Sequence, residues 1–184
     1  MSQEVINQTK EKMEKVIVSF ENELIKIRTG RANPNMLSHI MIDYYGTLTP
    51  IQQLANIMVP EARQLVIKPY DRSIINLIVT AINKADLGLP PNSEADLIRL
   101  NIPPLTEERR KMLVKEMWKA SEQFKVAIRN ERRDSNEHLK KDSELTEDDK
   151  KYYEGEVQKL TDQFIKKIDE KATLKEKELM EVGE

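Results

Sequence analysis

One stretch decides the fold, residues 105–142, which reads LTEERRKMLVKEMWKASEQFKVAIRNERRDSNEHLKKD. It contains no Gly and no Pro, and its apolar residues recur in steps of three and four: Leu113, Met117, Ala120, Phe124 and Ile128. This is the spacing of one helix face. As a single helix the stretch would span about 55 Å, at about 1.5 Å per residue. The pattern therefore predicts a long helix whose apolar face needs partner helices.

A second stripe of the same helix is mostly basic. Its members lie on the side away from Leu113 and also follow steps of three and four: Lys111, Lys115, Trp118, Glu122, Lys125, Arg129 and Arg132. Arg133 flanks this stripe. Residues 109–133 hold nine Lys/Arg against three Glu, a net charge of +6 in a chain whose net charge is −2. Arginine favours bidentate phosphate contacts, so the stripe suggests a polyanion. A merely solvated charged face is the open alternative.

Composition excludes several classes of protein. A charged content of 34% with few aromatic residues fits long solvated helices better than a β-sandwich or barrel. The chain has no Cys, and His39 and His138 lie too far apart to suggest a metal site. No apolar run approaches the ~18 residues of a membrane span, and the N-terminus lacks the features of a signal peptide. We expect a cytoplasmic protein without metal, cofactor or membrane contact.

Two further helices supply partners for the long one. The first is predicted from Ser2 to Thr29–Gly30, with an apolar face that repeats at helical spacing: Ile6, Thr9, Met13, Val16, Phe20, Leu24 and Ile27. Thr146 and Asp149 resemble a capping box that opens the last helix, whose apolar face follows: Tyr153, Val157, Leu160, Phe164, Ile168 and Ala172. Because a short link joins the second and third helices, the three are predicted to form an antiparallel bundle.

Residues 31–104 differ in composition from the predicted helices, since they contain frequent Ile and all eight prolines of the chain. The predicted elements are a hairpin at 39–49 that turns at Gly46, strands at 54–59 and 64–68 around Pro60–Glu61, a helix capped by Asp71 that ends near Gly88, and a strand at 97–102. The fold class is therefore α+β. The predicted domains are the bundle, 1–29 plus 106–184, and an inserted domain, 30–105, with a hinge at 29–33 and 102–105.

No catalytic chemistry is evident in the sequence. The nucleotide-binding and zinc-protease motifs are missing, and no nucleophile, base and orienting group form a set, so the chain is predicted not to be an enzyme. Two alternatives stay open, a coiled-coil adaptor that binds only protein and a weak enzyme acting on a nucleotide. For Trp118 we favour packing at the bundle edge over stacking on a base. Glu131 lies on the apolar side of the long helix. We favour the interpretation that the bundle ends there and Glu131 is hydrated, over pairing of Glu131 with a cation of another helix.

Four further motifs are RTGRANP at 28–34, PPLTEERR at 103–110, IRNERRD at 128–134 and KLTD at 159–162. Together with the overall length, these motifs resemble the ribosome recycling factor family. The family often has an apolar residue where Glu131 stands. The resemblance implies an L-shaped, tRNA-sized molecule, with a three-helix antiparallel bundle and an inserted small β/α/β sandwich domain at the elbow.

The resemblance also implies a function. Members of the family bind the post-termination ribosome across the large-subunit tRNA sites and, with elongation factor G and GTP hydrolysis by that partner, split the subunits so that mRNA and tRNA are released. We expect a monomer that contacts large-subunit rRNA. Arg129 and Arg132 fall at the family's rRNA-contacting positions, and the basic stripe completes the candidate rRNA-binding set: Arg129, Arg132, Arg133, Lys125, Arg109 and Arg110. The family's hinge falls on Arg28, Gly30, Arg31, Pro103, Pro104 and Leu105. The alternative is a helical RNA-binding or adaptor protein without recycling activity.

Overall fold

The structure, a computed structural model, describes residues 2–181. Five α-helices and six strands are bounded as follows: α1 Ser2–Lys26, β1 Met41–Tyr44, β2 Thr47–Pro50, α2 Ile51–Leu54, β3 Ala55–Glu61, β4 Gln64–Pro69, α3 Ile75–Lys84, β5 Pro91–Ser93, β6 Ile98–Asn101, α4 Glu107–Lys141 and α5 Glu147–Met180. Two short 3₁₀ turns occupy Pro34–Leu37 and Arg72–Ile74.

The described chain divides into two compact units, each with its own hydrophobic core. One unit comprises residues 2–28 and 107–181, and the other comprises residues 29–106. The boundaries predicted from the sequence differ from these by one residue at each chain crossing.

The first unit is a bundle of α1, α4 and α5. Contacts between α4 and α5 run in opposite chain directions, since Trp118 bonds to Glu176 whereas Arg132, further along α4, bonds to the earlier Gln158. The two helices are therefore antiparallel, as predicted. The rings of Phe20 in α1 and Phe124 in α4 lie 5.2 Å apart. The predicted apolar faces provide most of the buried core: Met13, Ile17, Phe20, Leu24, Met117, Ile128, Phe164, Ile168 and Ala172.

The helix ends follow local chemistry. The predicted capping box opens α5, where the Asp149 N–H donates to Thr146 Oγ1 at 3.1 Å and the Thr146 N–H donates to Asp149 Oδ2 at 3.3 Å. Helix α1 ends at Lys26, three residues before the predicted stop. The Ile27 N–H donates to the Leu24 carbonyl, a tighter bond than the α-helical one, and the chain leaves the helix there.

The second unit begins with the predicted hairpin of β1 and β2, whose register pairs Tyr44 with Thr47. The two turn residues, Tyr45 and Gly46, both have positive φ, 51° and 83°. This matches a type I′ turn, whose twist suits a two-residue hairpin. Gly adopts this conformation without strain, whereas Tyr45 adopts it with some cost.

A four-stranded antiparallel sheet, in the order β3-β4-β6-β5, completes the second unit with α3. The β3–β4 turn lies at residues 62–63 rather than at the predicted Pro60–Glu61, because a bulge between Met58 and Glu61 lets β3 continue to Glu61. Strand β5 was not predicted, because Pro91–Ser93 is only three residues long and shows no alternation of apolar and polar residues. Helix α3 ends at Lys84, before the predicted stop near Gly88. The Asp71 side chain caps the 3₁₀ turn ahead of α3.

Gly30 occupies a constrained position in the second unit. Its φ is 76°, and an added Cβ would lie 3.2 Å from Leu105 Cγ. Gly46 has a similar φ of 83° but no neighbour within 4 Å of such a Cβ, and the helical Gly155 likewise has none.

These three glycines predict a graded series of alanine variants. Gly46→Ala should lower the free energy of unfolding by about 1–2 kcal/mol, the cost of a left-handed backbone. Gly30→Ala should cost more because the Cβ also meets Leu105. Gly155→Ala should instead stabilise α5 by about 0.5–1 kcal/mol. Urea denaturation measures all three, and equal losses for Gly30→Ala and Gly46→Ala would contradict the steric argument.

Candidate nucleic-acid interface

The predicted basic stripe lies at the edge of the α4–α5 contact rather than wholly behind the bundle. Three of its members, Trp118, Lys125 and Arg132, lie seven residues apart and each bond to α5. The other four members are exposed: Lys111, Lys115, Glu122 and Arg129. The stripe is therefore not uniformly exposed, since α5 contacts three of its seven positions. The reason is that the helix surface covered by α5 is wider than the apolar seam.

Arg129, Arg132 and Arg133 form an arginine cluster on α4, and Arg129 and Arg133 are its exposed members. They are four residues apart on α4, so they lie one turn apart on the same face. Neither has a hydrogen bond or ion pair with any residue of the described range 2–181. The exposed Val126 lies one turn before Arg129. Their guanidinium groups are therefore free to bind an external anion.

Arg132 has a different environment from its two neighbours. It is half-buried, and its Nη1 donates to Gln158 Oε1 of α5 at 2.6 Å. The Gln158 amide in turn donates through Nε2 to Asp162 Oδ1 at 2.9 Å. The Nε atom of Arg132 is enclosed without a protein acceptor among the residues that the structure describes. Gln158 and Asp162 were not among the predicted site residues; Asp162 belongs to the KLTD motif, but nothing in that motif indicates a connection to Arg132.

Lys125 differs most from its predicted setting. Only 9% of the residue is exposed, and its Nζ forms ion pairs with Glu122, at 3.1 Å, and with Asp169 of α5. Burial alone would lower the pKa of Lys125, but the hydrogen bonds to Asp169 and Glu122 outweigh it and raise the pKa above its ordinary value. The charge of Lys125 is thus neutralised within the bundle, and an outward-facing position is excluded.

Trp118 packs at the bundle edge, as predicted. It is half-buried against the core of the bundle, and its indole Nε1 donates to Glu176 Oε2 at 3.1 Å. An indole ring that packs against a core with its N–H satisfied is the usual state of a structural tryptophan. The ring is therefore occupied by contacts within the protein.

Arg109 and Arg110 lie at the start of α4, about 30 Å along the helix axis from Arg129, at about 1.5 Å per residue. Arg109 is exposed, and Arg110 is half-buried with its Nε enclosed. These two arginines and the cluster at 129–133 therefore belong to different regions of the bundle.

The predicted hinge residues lie at the two chain crossings. Arg28, Arg31, Pro103 and Pro104 are exposed, and Leu105 is half-buried beside Gly30. Their role as a hinge stays a prediction.

Glu131 lies among polar groups where α1 meets the last third of α4. It is half-buried and shares a small cavity with Thr9, Lys12, Ser135 and His138. Thr9 and Ser135 are buried, and Ser135 Oγ has no hydrogen-bond partner within residues 2–181. The hydrated bundle end favoured for Glu131 stays a prediction.

The described residues contain no cluster of three His, Asp or Glu side chains placed as metal ligands. None of the helices within residues 2–181 combines the length and hydropathy needed to cross a bilayer.

Comparison with known proteins gives one consistent family. The family model described as Ribosome recycling factor matches residues 20–180. The chain is 54% identical to the ribosome-recycling factor of Bacillus subtilis, over 99% of this chain and 100% of that protein. It is 55% identical, with the same coverage, to that of Halalkalibacterium halodurans.

Solved structures agree with the sequence relatives. A solution structure of a ribosome recycling factor is 37% identical, with a TM-score of 0.81 over 97% of both chains. A second structure is 42% identical, with a TM-score of 0.65, and covers 98% of this chain and 100% of that one. It is described as the Thermus thermophilus (T. thermophilus) ribosome recycling factor, with E. coli elongation factor G, bound to the E. coli post-termination complex. With a helical bundle, a small antiparallel sheet and these relatives, the chain belongs to the ribosome recycling factor family, whose members are non-enzymatic translation factors.

Proposed function

We propose that this protein binds the post-termination ribosome across the large-subunit tRNA sites and, with elongation factor G, splits the subunits. The GTP hydrolysis belongs to that partner, and splitting releases mRNA and tRNA. The observation that carries the proposal is the similarity to ribosome recycling factors along nearly the whole chain. A structural relative is described together with elongation factor G on a post-termination complex, which supports the choice of partner.

The exposed arginine cluster supports rRNA as the surface that the bundle binds. Arg129 and Arg133 project from one face of α4, and Arg132 stands between them in sequence. Arginine binds phosphate through two parallel hydrogen bonds. We retain these three as the proposed rRNA-binding residues and remove Lys125, whose charge is paired inside the bundle. Arg109 and Arg110 would form a second patch.

The remaining parts of the proposal follow from the family. The protein would act as a cytoplasmic monomer without a cofactor, and the residues at the chain crossings would form its hinge: Arg28, Gly30, Arg31, Pro103, Pro104 and Leu105. A helical adaptor that binds only protein is the competing function, and the two differ in their dependence on salt.

Subunit splitting is the direct test. Light scattering of post-termination ribosomes should fall only when this protein, elongation factor G and GTP are all present. The Arg129→Ala/Arg132→Ala variant should slow the fall by about tenfold or more, since each lost phosphate contact costs roughly 1 kcal/mol or more. A full-sized fall with the variant would remove the arginines from the proposal, and no fall with the wild type would refute recycling.

Lys125 and Arg129 should have opposite effects although they lie one turn apart. Lys125→Met should lower the free energy of unfolding by about 1–2 kcal/mol, because it removes a partly buried ion pair, and should leave ribosome affinity unchanged. Arg129→Ala should lower the affinity and leave stability unchanged. Thermal unfolding and a ribosome-binding titration measure the two effects, and weaker binding by a folded Lys125→Met variant would restore Lys125 to the interface.

The ion pairs of Lys125 should make the stability of the protein depend on pH. Pairing raises the pKa of Lys125 above its ordinary value of 10.5. Its contribution to stability is therefore fully present below pH 10.5 and is lost as the pH rises through the raised pKa. Unfolding measured between pH 9 and 12 should show this loss in the wild type, and the Lys125→Met variant should lack it.

Salt should separate the two candidate functions. Phosphate contacts release counterions, so ribosome affinity should fall steeply as salt rises, and each lost arginine should reduce the log–log slope by about 1. A nearly flat salt dependence would favour the protein-binding adaptor.

A further inference from the structure

Arg132 differs from the other arginines of its cluster because α5 holds it. Its Nη1 donates to Gln158 Oε1 at 2.6 Å. The side chain is half-buried, and its Nε is not exposed to solvent. Arg129 and Arg133 are exposed and have no partner within the described residues. A free arginine side chain loses rotamer entropy when it is immobilised. Arg132 has lost part of that freedom before any ligand arrives.

Asp162 determines which end of the Gln158 amide faces Arg132. An ionised carboxylate only accepts hydrogen bonds, so Asp162 Oδ1 requires the NH₂ end of the amide, which it binds at 2.9 Å. The carbonyl end is then left for the guanidinium, which only donates. The three side chains therefore form a chain with one permitted direction, Arg132 to Gln158 to Asp162.

The chemistry of the acceptor matters for the charge. Gln158 is neutral, so it orients the guanidinium without cancelling its positive charge. Lys125, on the same side of α4, is instead paired with carboxylates. Apart from the Nη1 bond, Arg132 has no hydrogen bond or ion pair to the residues within 2–181, and because its Nε is enclosed, an anion would bind through the Nη groups.

We propose that Gln158, itself oriented by Asp162, is a positioning residue that holds the Arg132 guanidinium ready for an rRNA phosphate while leaving its charge intact. This inference rests on the proposed function. Gln158 acts through Arg132, so its effect on the ribosome should exist only while Arg132 is present. Pre-organisation of this kind improves affinity by reducing the entropy lost on binding.

A double-mutant cycle tests the proposal. Ribosome affinity is measured by titration for the wild type, Gln158→Ala, Arg132→Ala and the double variant. Gln158→Ala should weaken binding roughly three- to tenfold, the range expected when one hydrogen bond is lost. In the Arg132→Ala background it should have no further effect, since residues that act as one unit are not additive. Equal effects of Gln158→Ala in both backgrounds would overturn the proposal.

Gln158→Glu separates positioning from simple support. The carboxylate can still accept from Arg132, but it cannot donate to Asp162 and repels it. Because it also neutralises the guanidinium, binding should weaken at least as much as with Gln158→Ala. The matched controls are Gln163→Ala and Gln163→Glu, at an exposed position of the same helix that has no bond to Arg132. Binding that Gln158→Glu leaves intact, or that Gln163→Glu weakens equally, would contradict the role assigned to the neutral amide.

The outcomes distinguish this inference from the proposed function. If Arg132→Ala weakens binding and Gln158→Ala does not, the positioning role is wrong and the rRNA contact stands. If Arg132→Ala itself has no effect, the contact at Arg132 is wrong and the positioning role falls with it. If the wild type fails to split ribosomes in the scattering assay, recycling itself is wrong.

Discussion

The mutual burial of three apolar helix faces is the constraint on which the bundle depends. Helix α1 covers its apolar face with residues more than a hundred positions later in the chain, such as Phe124 and Phe164, which pack in the same core as Phe20. A single amphipathic helix has little stability in water, and here each face is completed by the other two. The unit of residues 29–106 is inserted between α1 and α4, and it has its own core. Neither core therefore contributes residues to the other.

The same packing determines the chemistry of the α4 surface. Because α5 covers one edge of α4, Trp118, Lys125 and Arg132 meet partners there, whereas the stripe positions between them, Glu122 and Arg129, remain exposed. Trp118 and Lys125 become structural in this way. Arg129 and Arg133 are exposed and have no ion-pair partner within residues 2–181, so their positive charges can attract phosphate. Arg132 lies at the border and shares features of both groups.

Much of the fold followed from local patterns in the sequence. The period of the apolar residues predicted three long helices, the Thr146 capping box located the start of α5, and Gly46 located the hairpin turn. Each of these depends on residues within about one turn of each other. The errors had tertiary causes. Strand β5 is three residues long and exists because β6 pairs with it, and the bulge that moves the β3–β4 turn depends on pairing between two strands.

For the candidate site, the sequence by itself determined that α4 carries an excess of positive charge and that its motifs match one family. Only the tertiary structure decided which of those charges face water. Lys125 and Arg129 are four residues apart, carry the same charge and belong to the same predicted stripe, yet one is buried against Asp169 and the other is exposed. The physical reason is that helical periodicity specifies directions around one helix axis, whereas the position of the neighbouring helix around that axis is set by packing of side chains distant in sequence.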